Sequence, residues 1–128
     1  MSDPSEMNEH VPAYQASEEI QRPEPWSHRW HDELGLRYHQ AMAEKILRNP
    51  SLLEVARENL RRWAKSETEV AISEGRRKWL LLLEENDLHS IIMLMTDPTE
   101  AGHQLRQSTP FAGLLSEAEA QDILQELL

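Results

Sequence analysis

Gln104-Leu105-Arg106-Gln107-Ser108-Thr109-Pro110-Phe111-Ala112-Gly113-Leu114-Leu115-Ser116-Glu117-Ala118-Glu119 is the stretch on which the reading of the fold turns. Pro110 lacks an amide N–H and restricts Thr109, so a helix should stop near Gln107. Ser116 and Glu119 have the spacing of a reciprocal capping box, so another helix should begin at Ser116. The loop between them holds the only phenylalanine, Phe111, and just ahead of it stands Arg106, the only arginine or lysine after Lys78. Such a loop has two uses. Arg106 can bond helix-end carbonyls while Phe111 plugs a core, or the pair can grip a partner, Arg106 forking onto a carboxylate. Packing is the expected use, because ordered loops between short helices serve packing first.

Working backwards from this loop, Asp97-Pro98-Thr99-Glu100 reads as a helix start with Asp97 as the cap. Leu88, Ile91, Ile92, Leu94 and Met95 make a nearly all-apolar element, expected to be a helix at the heart of the core. A helix from Glu74, with Ser73 as its cap, carries Trp79, Leu80, Leu82 and Leu83 to about Glu85. The run is leucine-rich and free of β-branched residues, which favours helix over strand. Residues 66–68 are polar and should turn the chain. Asn49-Pro50 opens a helix to about Lys65, with Leu53, Ala56, Leu60 and Trp63 along one face. Ser27 is a candidate cap for the first helix, where Leu34, Tyr38, Ala41, Met42 and Ile46 recur at helical steps and Gly35 weakens the centre. Forward from the loop, Ile123, Leu124, Leu127 and Leu128 make the last helix amphipathic. No repeat, hairpin dipeptide or period-two segment interrupts this pattern. The expectation is an all-α, compact single-domain bundle of about five or six short helices spanning 26–128.

Residues 1–25 differ: six carboxylates face Arg22 alone, with four prolines and scattered apolar residues. Too little apolar surface is present to offset ordering entropy, so this segment reads as a flexible acidic arm. The whole chain has 128 residues and a formal charge of −10. That charge opposes attraction to phosphate, so nucleic acid is an unlikely partner and a basic protein a natural one. The charge is uneven, and residues 36–66 form a basic region between acidic ones. No cysteine is present, which excludes disulfides and thiolate metal sites. The N-terminus lacks a signal-peptide core, and the longest apolar run, Trp79 to Leu83, is too short for a bilayer, so the expected location is the cytoplasm and no membrane is engaged.

Chemistry-bearing residues are few. His28, His31 and His39, with Asp32 and Glu33 nearby, have helical ligand spacing, yet the His-Glu-x-x-His order is missing, and exposed histidines rather than a metal site are expected. Trp26 and Trp30, four apart, either display an aromatic face or fold back over the core, and covering is preferred. Arg57, Arg61, Arg62 and Lys65 form the one basic face able to touch phosphate, although Glu54 and Glu58 are placed to pair with it. There is no glycine-rich phosphate loop, no Gly-x-Ser-x-Gly elbow and no cysteine nucleophile, so neither an enzyme nor a cofactor is expected.

Leu36-Arg37-Tyr38-His39, Ala43-Glu44-Lys45-Ile46, the run from Asn49-Pro50 to Leu60 with Trp63, then Trp79, and most clearly Leu105-Arg106-Gln107-Ser108-Thr109-Pro110-Phe111-Ala112-Gly113 resemble a group of small bacterial antitoxin-like proteins. The likeness covers about Leu34 to Glu119 and leaves out the acidic arm. It marks His39, Arg106, Pro110 and Phe111 as motif positions without assigning them roles. The resemblance implies a non-catalytic protein that neutralises a cognate toxin, a basic protein encoded nearby, by direct binding. Arg106, Gln107, Pro110, Phe111, Leu115, Ile123 and Leu127 are the expected contact residues. The alternatives are a DNA-binding regulator using helix 57–65 and a stand-alone helical adaptor, and a homodimer stays open.

Overall fold

A computed structural model of the chain describes residues 23–66 and 74–128. Most of the acidic arm, residues 67 and 68 of the expected turn at 66–68 and the expected Ser73 cap lie outside the described residues, and Ser66, expected in that turn, is still helical. Those described form an all-α fold of six helices with no strand: α1 (His28–Arg48), α2 (Leu53–Ser66), α3 (Glu74–Glu85), α4 (Leu88–Met95), α5 (Glu100–Arg106) and α6 (Glu117–Leu127). A single 3₁₀ turn, Pro50–Leu52, leads into α2.

Helix α1 is the spine, packing against α4, α5, α6 and the 3₁₀ turn, while α2 lies on α3. Its start is local chemistry. Ser27 accepts from the Trp30 N–H at 3.1 Å and thereby satisfies one of the open donors of the first turn. Immediately before it, the Ser27 N–H bonds Glu24 O at 3.1 Å across Pro25 and Trp26, and Trp26 has φ +69°. A left-handed φ is costly for an aromatic residue in this turn, where glycine is usual. Trp26 rests its ring 4.4 Å from that of Trp30. The two tryptophans thus part company: Trp30 is fully buried, and Trp26 covers it from outside while remaining 62% exposed.

Two helix starts differ from the sequence expectation. Asn49 does not cap with its side chain, because its Oδ1 accepts from the Ser51 hydroxyl at 2.7 Å and the next three residues wind as 3₁₀. Its own N–H instead closes α1 onto Ile46 and Lys45 carbonyls. Asp97 likewise folds onto Thr99, accepting from both its N–H (2.8 Å) and its hydroxyl (2.7 Å), so α5 starts later, at Glu100. Asp87, by contrast, caps α4 through the Ser90 N–H, and the Ser116–Glu119 capping box is fully formed on α6.

The main core joins Met42, Ala43 and Ile46 of α1 to Ala56 and Leu60, Trp79 and Leu83, Ile91 and Met95, and Phe111. A second cluster of Trp30, Leu34 and Leu127 ties the start of α1 to the end of α6, with Tyr38 packed against both. Helix α4 is not buried all round, as its composition led one to expect. Ile91 and Met95 face the core, whereas Met93 on the opposite side is 71% exposed. Eight residues laid on the outside of α1 can bury only one stripe.

Candidate functional site

The loop from Gln107 to Leu115 is where the helices are tied together. Pro110 and Phe111 are fully buried, and the Phe111 ring meets Trp79 edge to face at 5.3 Å and His39 at 6.1 Å. Asn59, on the buried side of α2, donates to Pro110 O at 2.9 Å and to Ala112 O at 3.0 Å, while its Oδ1 accepts from Arg62. These two bonds satisfy loop carbonyls that no helix can serve. Lys45 reaches Leu114 O at 2.9 Å and Glu119 at 2.6 Å, locking the loop exit to α6, and the lysine draws the Glu119 carboxyl below its usual value. Gly113 has φ +94°, a conformation that suits glycine.

His39 fixes the middle of the loop. Its Nδ1 lies 2.8 Å from Gly35 O, and a carbonyl only accepts, so Nδ1 carries the proton. In the neutral ring Nε2 therefore accepts from the Thr109 hydroxyl at 2.7 Å, and Thr109 Oγ1 in turn accepts from the Phe111 N–H at 3.3 Å. The hydrogen bonds run in one direction from the loop into α1. Burial pushes the His39 pKa down to about 4, and the Arg106 charge adds to that effect against the Gly35 bond.

Arg106 is buried and sits across the end of α4. Its Nη1 donates to Met95 O at 3.2 Å and Asp97 O at 2.7 Å, which neutralises carbonyls at a helix C-terminus. Burial lowers its pKa, and the carboxylates of Asp97, Asp32 and Glu33 work in the other direction. One residue earlier, Leu105 O accepts from the Trp79 indole at 2.8 Å.

The expected contact residues thus divide. Arg106, Pro110, Phe111 and Leu127 are buried and serve packing, Leu115 and Ile123 are half-buried, and Gln107 is exposed. The nonapeptide from Leu105 to Gly113 is accounted for by the fold, since its side chains and carbonyls hold α1, α2, α3 and α4 in place. Asn59 escaped attention in the sequence, although a signal existed: it shares the apolar face of Ala56, Leu60 and Trp63, where a buried amide must find partners.

On α2, Arg61 pairs with Glu54 at 3.0 Å and Glu58 at 3.1 Å, Arg57 approaches Glu54 at 3.4 Å, Arg62 bonds Asn59, and Lys65 is exposed. Arg61 holds the Glu54 carboxyl below its ordinary value. This is an ion-paired face. The histidines do not converge: His28 and His31 are exposed, His31 lies edge-on to Trp30 at 5.0 Å, and both His39 nitrogens are engaged. Among the described residues no three of His, Asp and Glu gather as metal ligands.

Two concavities among the described residues bear on binding. A polar one of about 200 Å³ lies beside Asp32, Glu33, Glu100 and His103, with charges of both signs on its walls. His103 Nε2 is 3.2 Å from Asp32 Oδ1 and 3.1 Å from Gln107 Nε2. One nitrogen cannot donate to the first and accept from the second together, so its proton selects between them. The larger concavity, about 930 Å³, is a groove among α3, α4 and α5, floored by Leu81, Leu82, Leu94 and Leu105 and edged by Arg77 and Lys78. The outward face of α6 is polar and acidic, with Glu117, Gln121, Asp122, Gln125 and Glu126 all exposed. Among the described residues no helix is long and apolar enough to cross a membrane.

No family model matches the chain, and neither a curated protein nor a solved structure matches it.

Proposed function

We propose that this chain is a non-catalytic protein-binding module that acts as the antitoxin of a bacterial toxin–antitoxin pair, holding a basic toxin directly. The observation that carries the reading is the exposed acidic face of α6, on which Glu117, Asp122 and Glu126 point outward. The Lys45–Glu119 ion pair at the base of that helix is spent on the loop, and among the described residues Glu117, Asp122 and Glu126 form no ion pair, so these outer carboxylates stay available to a partner. A surface of one sign on a chain of charge −10 accelerates encounter with a basic protein and fixes its orientation more than it adds affinity. The resemblance of Leu105 to Gly113 supports membership of the antitoxin-like group. Contact with the toxin then falls on α6, which Lys45 ties to the loop through Leu114 O and Glu119.

The test is copurification of this chain with the product of the neighbouring reading frame, followed by association kinetics at rising salt. The expected result is a stable complex whose association rate falls with ionic strength and falls again in a Glu117→Lys, Asp122→Lys, Glu126→Lys chain. Absence of a complex, or a complex indifferent to those three changes, counts against the reading.

A further inference from the structure

We propose that the groove among α3, α4 and α5 is a second docking site, made for an acidic amphipathic helix of a partner protein. The proposal stands apart from the antitoxin reading, which uses the opposite sign of charge on a different helix.

The shape comes first. Positions 74, 78, 81 and 82 follow one face of α3, and the helix rises about 12 Å from the first to the last, room for roughly two turns of an incoming helix. Ala101, Gln104 and Leu105, three and four apart on α5, line it as well, together with Leu94 of α4. The floor is preformed. Leu82, Leu94 and Leu105 pack on the main core from behind, and the Trp79 indole holds Leu105 O. Leu81 is nevertheless 51% exposed, an apolar side chain turned outward along an apolar trough. A floor of this kind accepts apolar side chains spaced three or four apart, the pattern of a helix laid in a groove.

Charge then selects the occupant. Arg77 and Lys78 stand on the α3 edge, both exposed and without an ion pair among the described residues, against Glu74 at the helix start. Basic groups left unpaired beside an apolar trough favour carboxylates flanking the apolar positions of the incoming segment. Gln104, Gln107 and Ser108 on the other edge carry no charge and accommodate polar residues of either kind.

Display of a random peptide library against the full chain tests this without a known partner. The expected result is enrichment of peptides with paired Leu, Phe or Met three or four apart, flanked by Asp or Glu. Leu81→Glu should weaken the selected peptides by about tenfold or more, and Arg77→Glu, Lys78→Glu should turn the flanking preference from acidic to basic. Both variants alter surface positions, and circular dichroism melting confirms that they fold. The proposal is overturned by no enrichment, by enrichment of basic peptides on the unaltered chain, by peptides whose binding ignores both variants, or by a homodimer that dissolves on Leu81→Glu. Enrichment that appears only after residues 1–22 are deleted also overturns it, by giving the groove to the chain's own acidic segment.

Discussion

His39 Nε2 lies 2.7 Å from Thr109 Oγ1, joining positions 70 residues apart through a single buried hydrogen bond. In the neutral ring the bond has one direction, Thr109 donating to Nε2, because Nδ1 is committed as donor to Gly35 O. Protonation would reverse that bond and place a charge inside the core, which burial and the Arg106 charge both oppose.

Stability should therefore fall with acid in a defined window. The folded-state pKa of His39, about 4, lies below the unfolded value of 6.5, so between these values the unfolded chain binds the extra proton. The histidine's contribution is complete above 6.5 and is lost as pH falls towards 4. Urea unfolding at pH 7 and pH 5 should show the wild type losing about 2 kcal/mol more than a His39→Gln chain. Parallel losses in the two chains would remove His39 as the cause.

Phe111→Ala should cost about 3–5 kcal/mol, because a fully enclosed ring between Trp79 and His39 leaves a cavity that its neighbours cannot fill. The near-ultraviolet circular dichroism of Trp79 should change with it. A loss below about 1 kcal/mol would mean that the ring is not the plug described here.

Gly102→Ala should also destabilise, by about 2–3 kcal/mol, despite alanine's better helix propensity. A Cβ at position 102 would run into Asp97 O and stand 2.6 Å from Asp97 Cβ. The clash strikes backbone, and moving Asp97 O also disturbs its 2.7 Å bond from Arg106. Thermal melting checks the sign: a stabilised variant would contradict the close approach of α5 to the α4–α5 connection.

Asn59→Leu replaces the amide by an apolar group of similar size and leaves the buried Pro110 O and the part-buried Ala112 O without their donor. Each buried acceptor left unpaired costs about 1–3 kcal/mol. Amide exchange in the loop should speed up in this variant more than exchange in α1. Unchanged loop protection would show that Asn59 does not hold those carbonyls.

What the sequence disclosed was decided within a turn of chain. Ser27 at α1 and the Ser116–Glu119 box at α6 are caps that need no distant residue, and both are legible from spacing alone. Asn49 and Asp97 carried the same signals and were spent otherwise, because Ser51 and Thr99 compete for their side-chain oxygens. The loop's importance was visible from Pro110, Gly113 and the lone Phe111, yet its attachments were not, since Asn59, His39 and Lys45 come from helices remote in sequence. The groove was the least legible feature. Leu81 lies within the apolar run Trp79 to Leu83 and Leu94 within the apolar element before Asp97, and only packing reveals which leucines the core leaves uncovered.

The most direct test of the antitoxin reading is growth of cells expressing the neighbouring reading frame alone and then together with this chain. The account expects growth arrest by the neighbour alone and recovery on coexpression, weakened by Glu117→Lys, Asp122→Lys, Glu126→Lys in a chain that melts as the wild type does. A neighbour that is harmless alone, or a recovery untouched by those changes, would contradict it.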